Sequence, residues 1–264
     1  MTVPKAFEEL ALSFYGCDGG NLKSPVWFCG LEWGGELHWD NDVNINTLAT
    51  ERGYQTPFDQ EAIESDYMTN VSWSDGFEGA VTNGVNQKIC WFLNYYLAID
   101  PTDSYDYAQF VIDHKICHKG DDGLGFKMNL FPMNAPNHDY SWDVKRAQFT
   151  GFESRSAYEE WCLKHRGEYF RVLLKKYQPE IIIVLGKTHA HKFIQFFGCE
   201  DAENFELDKN GVSISYRKIP NTDTYLIISP FFGGASGINS FNKMKDLTDL
   251  VHEIKGTQPY DWKR

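Results

Sequence analysis

Three short stretches of the chain hold residue types that could do chemistry. The first, Gly30-Leu31-Glu32-Trp33-Gly34-Gly35-Glu36, places a carboxylate among glycines. Glycines let the backbone turn sharply and approach a ligand closely, so Glu32 would project into a crevice, although a glycine-rich turn with a solvated Glu is also common. The second, Asn129-Leu130-Phe131-Pro132-Met133-Asn134, offers a side-chain amide. An amide both donates and accepts, so Asn129 could meet the edge of a planar ring in two directions at once, or could cap a turn. The third is Ile227-Ile228-Ser229-Pro230-Phe231-Phe232-Gly233-Gly234-Ala235-Ser236-Gly237. Its small residues could form a nest of backbone N–H groups for an anionic oxygen, or an ordinary flexible turn before a helix.

Each stretch follows or ends an apolar run that reads as a buried strand. Pro25 to Gly30 is almost wholly apolar, Phe126 to Phe131 is a second run, and Pro179 to Gly186 is a β-branched third. Strands buried on both faces read this way in parallel sheets. Val212 to Ile219 and Tyr225 to Ile228 are two further strands. Helices are expected from Ala6 to Tyr15, Asn86 to Ile99, Ser156 to Tyr177, Lys187 to Phe197 and Ser240 to about Lys255. The long one opens on Ser156-x-x-Glu159, a capping-box pattern. Residues 37 to 86 are polar, aromatic and weakly periodic, and read as an insertion in one domain spanning 1–264. The β-α alternation implies three α/β/α layers around a central, mostly parallel four-stranded sheet, with ligands at the strands' carboxyl ends.

Composition narrows the classes. Hydrophobic residues at 42% and charged residues at 23% exclude wholesale disorder, while the 16% aromatic content could serve packing or stacking. A net charge of −12 opposes broad phosphate binding. A local basic face is still open to Lys115, His118, Lys119, Lys127, Lys145 and Arg146. Six scattered cysteines without a C-x-x-C pair suit reduced thiols and a cytoplasmic location, and no apolar run is long enough for a membrane span. His114-x-x-Cys117-His118 could be half of a zinc site but lacks a second pair, so no metal or cofactor is expected.

Taken in this order and spacing, the motifs resemble those of the uracil-DNA glycosylase superfamily. Gly30-Leu31-Glu32-Trp33-Gly34 is similar to its Gly-x-(Asp/Asn/Ala)-Pro-(Gly/Tyr) motif, which puts Glu32 on the position that orients or activates water. Asn129-Leu130-Phe131-Pro132 resembles its Asn-x-x-Pro, which implies base reading by Asn129. Pro179 to Phe197 resembles a structural segment of the four-cysteine branch, and Ser229-Pro230 resembles the end of its His-Pro-Ser-Pro. The chain departs from the pattern at the motif His, which falls on Ile227 or Ser229, and at the motif proline, which is Trp33. The cysteine spacing lacks the iron–sulfur ligand pattern of some branches.

The resemblance implies a divergent DNA glycosylase that hydrolyses the N-glycosidic bond of a flipped damaged or modified base. Glu32 would stabilise the sugar cation, and Asn129 would hold the base, stacked against Phe131 or Trp33. Gly30, Gly34, Ser229, Pro230, Gly233 and Gly234 would complete the substrate site. Partners would be DNA or a nucleotide. Two other functions fit the same residues: a non-catalytic nucleotide- or nucleic-acid-binding module, and a hydrolase of small nucleosides or nucleotides.

Overall fold

The computed structural model describes residues 3–32, 84–99, 106–116, 122–135 and 141–257. Most of the 37–86 insertion, together with Trp33, Gly34, Cys117, His118 and Lys119, lies outside the described residues. In chain order the elements begin with α1 (Lys5–Ala11), β1 (Gly19–Gly20), β2 (Val26–Gly30), α2 (Gly84–Leu97), α3 (Tyr107–Asp113) and β3 (Phe126–Asn129). They continue with α4 (Val144–Thr150), α5 (Arg155–Trp161), a π-helical turn (Cys162–Arg166), α6 (Gly167–Tyr177), β4 (Ile181–Leu185) and α7 (Ala190–Phe196). Strands β5 (Phe205–Lys209), β6 (Val212–Lys218) and β7 (Tyr225–Ser229) precede α8 (Phe241–Lys255).

The strands form one mixed seven-stranded sheet in the order β1-β3-β2-β4-β7-β6-β5. The expectation of a four-stranded sheet is therefore corrected. The neighbours β3, β2, β4 and β7 run parallel, but β1 and the β5–β6 hairpin extend the sheet antiparallel at its two ends. Strand β5 escapes an apolar-run criterion because it is largely exposed. It is nonetheless announced by Asn210-Gly211, whose φ angles of 51° and 80° close a two-residue hairpin.

The parallel strands are buried on both faces because side chains alternate along them. Phe28, Ile183 and Ile227 stand in register on one face and pack beneath α2 and α8. Trp27, Ile182 and Leu226 face the other way, onto α5, α6 and α7. Two separate cores, one per face, make three layers. Full burial of each such side chain is worth about 1.5–3 kcal/mol.

The expected helix from Ser156 to Tyr177 is divided. Ser154, extended at φ −143°, accepts from Ala157 N–H and caps α5, so the Ser156/Glu159 capping box does not form. At the π-helical turn Arg166 is fully buried. Its Nη1 donates to the carbonyls of Ala11 (2.6 Å) and Ser13 (2.9 Å), and its Nη2 to those of Tyr15 (2.8 Å) and Asn129 (3.3 Å). A guanidinium fits this task because its rigid fork presents five donors and it stays charged. It joins the 11–17 segment to the end of β3, directly behind the site described next.

Candidate functional site

Because β3, β2, β4 and β7 are parallel, their last residues, Asn129, Gly30, Leu185 and Ser229, share one edge of the sheet. Glu32 lies two residues past β2. The loop that carries it is held by the chain leaving β3: Leu130 N–H donates to Gly30 O (3.1 Å) and Phe131 N–H to Leu31 O (2.9 Å).

The Glu32 side chain is only 8% exposed and accepts from Arg155 Nη2 at 3.2 Å. Arg155 Nε also donates to Glu159 Oε1 at 2.8 Å, and Lys192 Nζ to Glu159 Oε2 at 2.6 Å. Two carboxylates and two cations thus alternate along a chain drawn from three segments. The Ser154 cap fixes the start of α5, which places Arg155 and Glu159 one turn apart on the same face. Lys192 comes from α7, the helix after β4, and its ammonium stands 5.4 Å from the centre of the Phe131 ring.

Burial pushes the Glu32 carboxyl from its ordinary 4.5 up to about 7. Arg155 opposes the rise, Glu159 adds to it, and Lys192 and Arg146 work against it. Desolvation disfavours the charged form, and one shared guanidinium recovers only part of that loss. Near neutral pH such a group can take or give a proton, which is what general acid–base chemistry requires.

The sequence-derived site residues divide sharply. Glu32, Gly30 and Asn129 are brought together, since Gly30 is paired in register with Asn129. There is no room between them: a Cβ on Gly30 would lie 2.3 Å from Asn129 Oδ1. Asn129 is buried, and its Nδ2 donates to Gly16 O at 2.7 Å, so half of the amide expected to read a ligand is committed to the backbone. Phe131 is fully buried in the core, which corrects its expected use as a stacking surface.

Ser229 lies on the same edge but beyond β4, and its buried hydroxyl is directed at Val184 O (2.8 Å) and Pro230 O (3.0 Å). Pro230, Gly233 and Gly234 start a loop bound largely to itself. Ile238 N–H donates to Phe231 O (2.9 Å), and the Asn239 amide to the carbonyls of Gly234 and Ala235 (both 3.1 Å). Gly237 N–H, one donor of the expected anion nest, is directed at Gly234 O (3.4 Å). The loop does present Phe231, which is 48% exposed.

Among the described residues of the expected basic face, Lys127 and Arg146 are largely buried and Lys115 is exposed but paired. Lys115 pairs with Asp122, Lys127 with the buried Asp18 at 3.0 Å, and Arg146 is buried with its Nη1 on Asn134 O at 3.0 Å. Lys145 is exposed. His114 packs its ring on Phe110 at 4.5 Å, and no group of three or more potential metal ligands occurs among the described residues. The five described cysteines are free and buried.

Sequence reasoning missed Arg155, Glu159 in its observed role, Lys192 and Arg166. The Arg155/Glu159 spacing of four was visible, but the partners that give it meaning, Glu32 and Lys192, are remote in the chain. The chain matches no family model and no curated protein sequence. No helix among the described residues is long and apolar enough to cross a membrane.

Proposed function

We propose that the protein is a divergent DNA glycosylase-like hydrolase of the uracil-DNA glycosylase type, cleaving the N-glycosidic bond of a flipped damaged or modified base, with Glu32 as the essential carboxylate. The observation that carries this reading is Glu32 itself. It is a buried carboxyl at the carboxyl ends of the four parallel strands, raised to about 7 and wired to Arg155, Glu159 and Lys192. As the C1′–N bond breaks, its electron pair leaves with the base and positive charge builds on the sugar. An ionised Glu32 opposes that charge and accepts a proton from the water whose oxygen attacks C1′. The cations beside it, Arg155 and Lys192, favour a departing base that carries negative charge. Free, buried thiols accord with a cytoplasmic setting.

The test is alkaline strand cleavage of oligonucleotides, each with one damaged or modified base, incubated with the parent and with Glu32→Gln. The reading expects cleavage of at least one substrate and a loss of roughly 10²-fold or more in the variant. A parent inactive on every base, or a variant as fast as the parent, overturns it.

A second reading, a non-catalytic binding module for a nucleotide or nucleic acid, is favoured by the apolar Ile227 and the hydroxyl of Ser229 at the positions where the resemblance would put a motif His. The internal pairing of Lys115 and Lys127, together with a charge of −12, favours small substrates over long polyanions. Hydrolysis of a free nucleoside or nucleotide by Glu32 would fit that observation. Release of base from a mononucleotide but not from an oligonucleotide would select it.

A further inference from the structure

Glu159 touches both cations of the Glu32 network, one with each carboxylate oxygen. Arg155 Nε donates to its Oε1 at 2.8 Å and Lys192 Nζ to its Oε2 at 2.6 Å. No side chain of Glu32, Arg155, Glu159 or Lys192 is more than 19% exposed. Solvent therefore screens these pairs far less than surface pairs such as Lys5–Glu9 and Lys218–Asp223.

The arrangement divides Arg155. Nε and Nη2 share one edge of the planar guanidinium, an edge that can grip a single carboxylate with two parallel hydrogen bonds. Here the edge is split, with Nη2 donating to Glu32 at 3.2 Å and Nε to Glu159 at 2.8 Å, so Glu32 receives one long bond where two could form. Lys192 is held by the same Glu159, with the Phe131 ring centre 5.4 Å from its ammonium. Arg146 of α4 also faces Glu32, but it is engaged by Asn134 O and by Asp143. The Cys162 thiol beside Glu159 stays protonated through burial.

We propose that Glu159 is a positioning residue for Glu32: by holding Arg155 and Lys192 at once, it keeps Arg155 from closing on Glu32 with both donors and so leaves that carboxylate free to take a proton. The role rests on the reading of Glu32 as the reacting carboxylate, and it requires no contact between Glu159 and substrate. Loss of the Glu159 charge removes a like charge and releases Arg155 Nε to Glu32, and both changes favour the ionised form of Glu32. Loss of Lys192 acts with the opposite sign, since a cation that favours ionised Glu32 is gone and the Glu159 charge is less balanced.

The test is a pH titration of the Glu32 carboxyl, followed by carbon NMR of the full chain carrying carboxyl-labelled glutamate, with the Glu32 signal assigned by its loss in Glu32→Gln. Glu159→Gln should lower the midpoint from about 7 by about one pH unit or more, and Lys192→Met should raise it by about half a pH unit. In an Arg155→Met background the effect of Glu159→Gln should shrink to about half or less, because it acts through Arg155. Glu160→Gln, on the exposed neighbour in α5, should leave the midpoint unchanged, with thermal melts confirming that all variants fold. A midpoint unmoved or raised in Glu159→Gln, one not raised in Lys192→Met, as simple opening of the site to water would produce, or one moved as far by Glu159→Gln without Arg155 as with it, each overturns the proposal. Because the titration is read without substrate, a parent that cleaves no base would overturn the glycosylase reading and not this role.

Discussion

Glu32→Gln keeps the shape and most of the hydrogen bonding of the side chain while removing its titration, so its effect on stability can be worked out without knowing the substrate. In the folded protein the carboxyl holds its proton up to about 7, whereas an unfolded carboxyl releases it near 4.5. Between those values the native state binds more protons than the unfolded state, so stability falls as pH rises through this window. Below 4.5 both states are protonated and the difference vanishes. Above 7 both are ionised and the whole cost of burying the charge is carried by the native state. At 1.36 kcal/mol per pH unit, the rise from 4.5 to about 7 caps that cost near about 3 kcal/mol.

The side chain is 8% exposed, so solvent screening removes little of this, but the variant also gives up half of Arg155's ion pairing. A gain of about 1–2 kcal/mol at pH 8.5 is therefore expected, or roughly 2–8 °C in Tm for a domain of this size. Thermal unfolding followed by circular dichroism from pH 4.5 to 8.5, parent against variant, measures it. The two curves should meet near pH 4.5 and separate progressively towards pH 7. In an Arg155→Met background the separation should extend to higher pH, because Arg155 is the largest influence holding the Glu32 carboxyl down. A Glu32→Gln protein that is less stable than the parent at pH 8.5, or whose difference is the same at every pH, would refute the reasoning.

Other expectations bear on the surrounding structure. Asn129→Ala should cost about 1–3 kcal/mol in urea unfolding, because Gly16 O loses its donor in a buried setting; unchanged stability would mean that the amide is not structural. Arg166→Met should cost more than about 3 kcal/mol and show as lost soluble yield or near-ultraviolet dichroism. Arg166→Lys should rescue it only partly, since one ammonium cannot serve four carbonyls. Single-stranded oligonucleotide binding should weaken by no more than about tenfold between 50 and 200 mM salt, because Lys115, Lys127 and Arg146 are already engaged; a thousandfold loss would reveal a phosphate-binding face elsewhere.

The parts of this architecture that were legible in the sequence are those set by local pattern. Val26 to Cys29 and Ile181 to Val184 are apolar without interruption because both sheet faces are covered, and that pattern places Glu32 at a strand's carboxyl end. Ser240 caps α8 as its position before an amphipathic run suggests. The Asn210-Gly211 hairpin carried an equally local signal that an apolar-run criterion overlooks. Asn129 shows where legibility stops. Its position at the end of β3 could be read, but an amide is chemically indifferent to whether it meets a ligand or a backbone carbonyl. The carbonyl it meets belongs to Gly16, 113 residues away.

The same limit bears on the imidazole that the glycosylase resemblance leads one to expect. The positions it would occupy, Ile227 or Ser229, are both buried parts of β7 whose environment would penalise a charged ring. The positive charge at this edge comes from α5 and α7 instead, through Arg155, which pairs with Glu32, and Lys192, which pairs with Glu159. The roles of both cations are hidden from the sequence because their deciding partners are remote: Glu32 lies 123 residues from Arg155, and Glu159 lies 33 residues from Lys192. At this edge burial raises the Glu32 carboxyl from 4.5 to about 7, and Arg155 from α5 and Lys192 from α7 keep it from rising further.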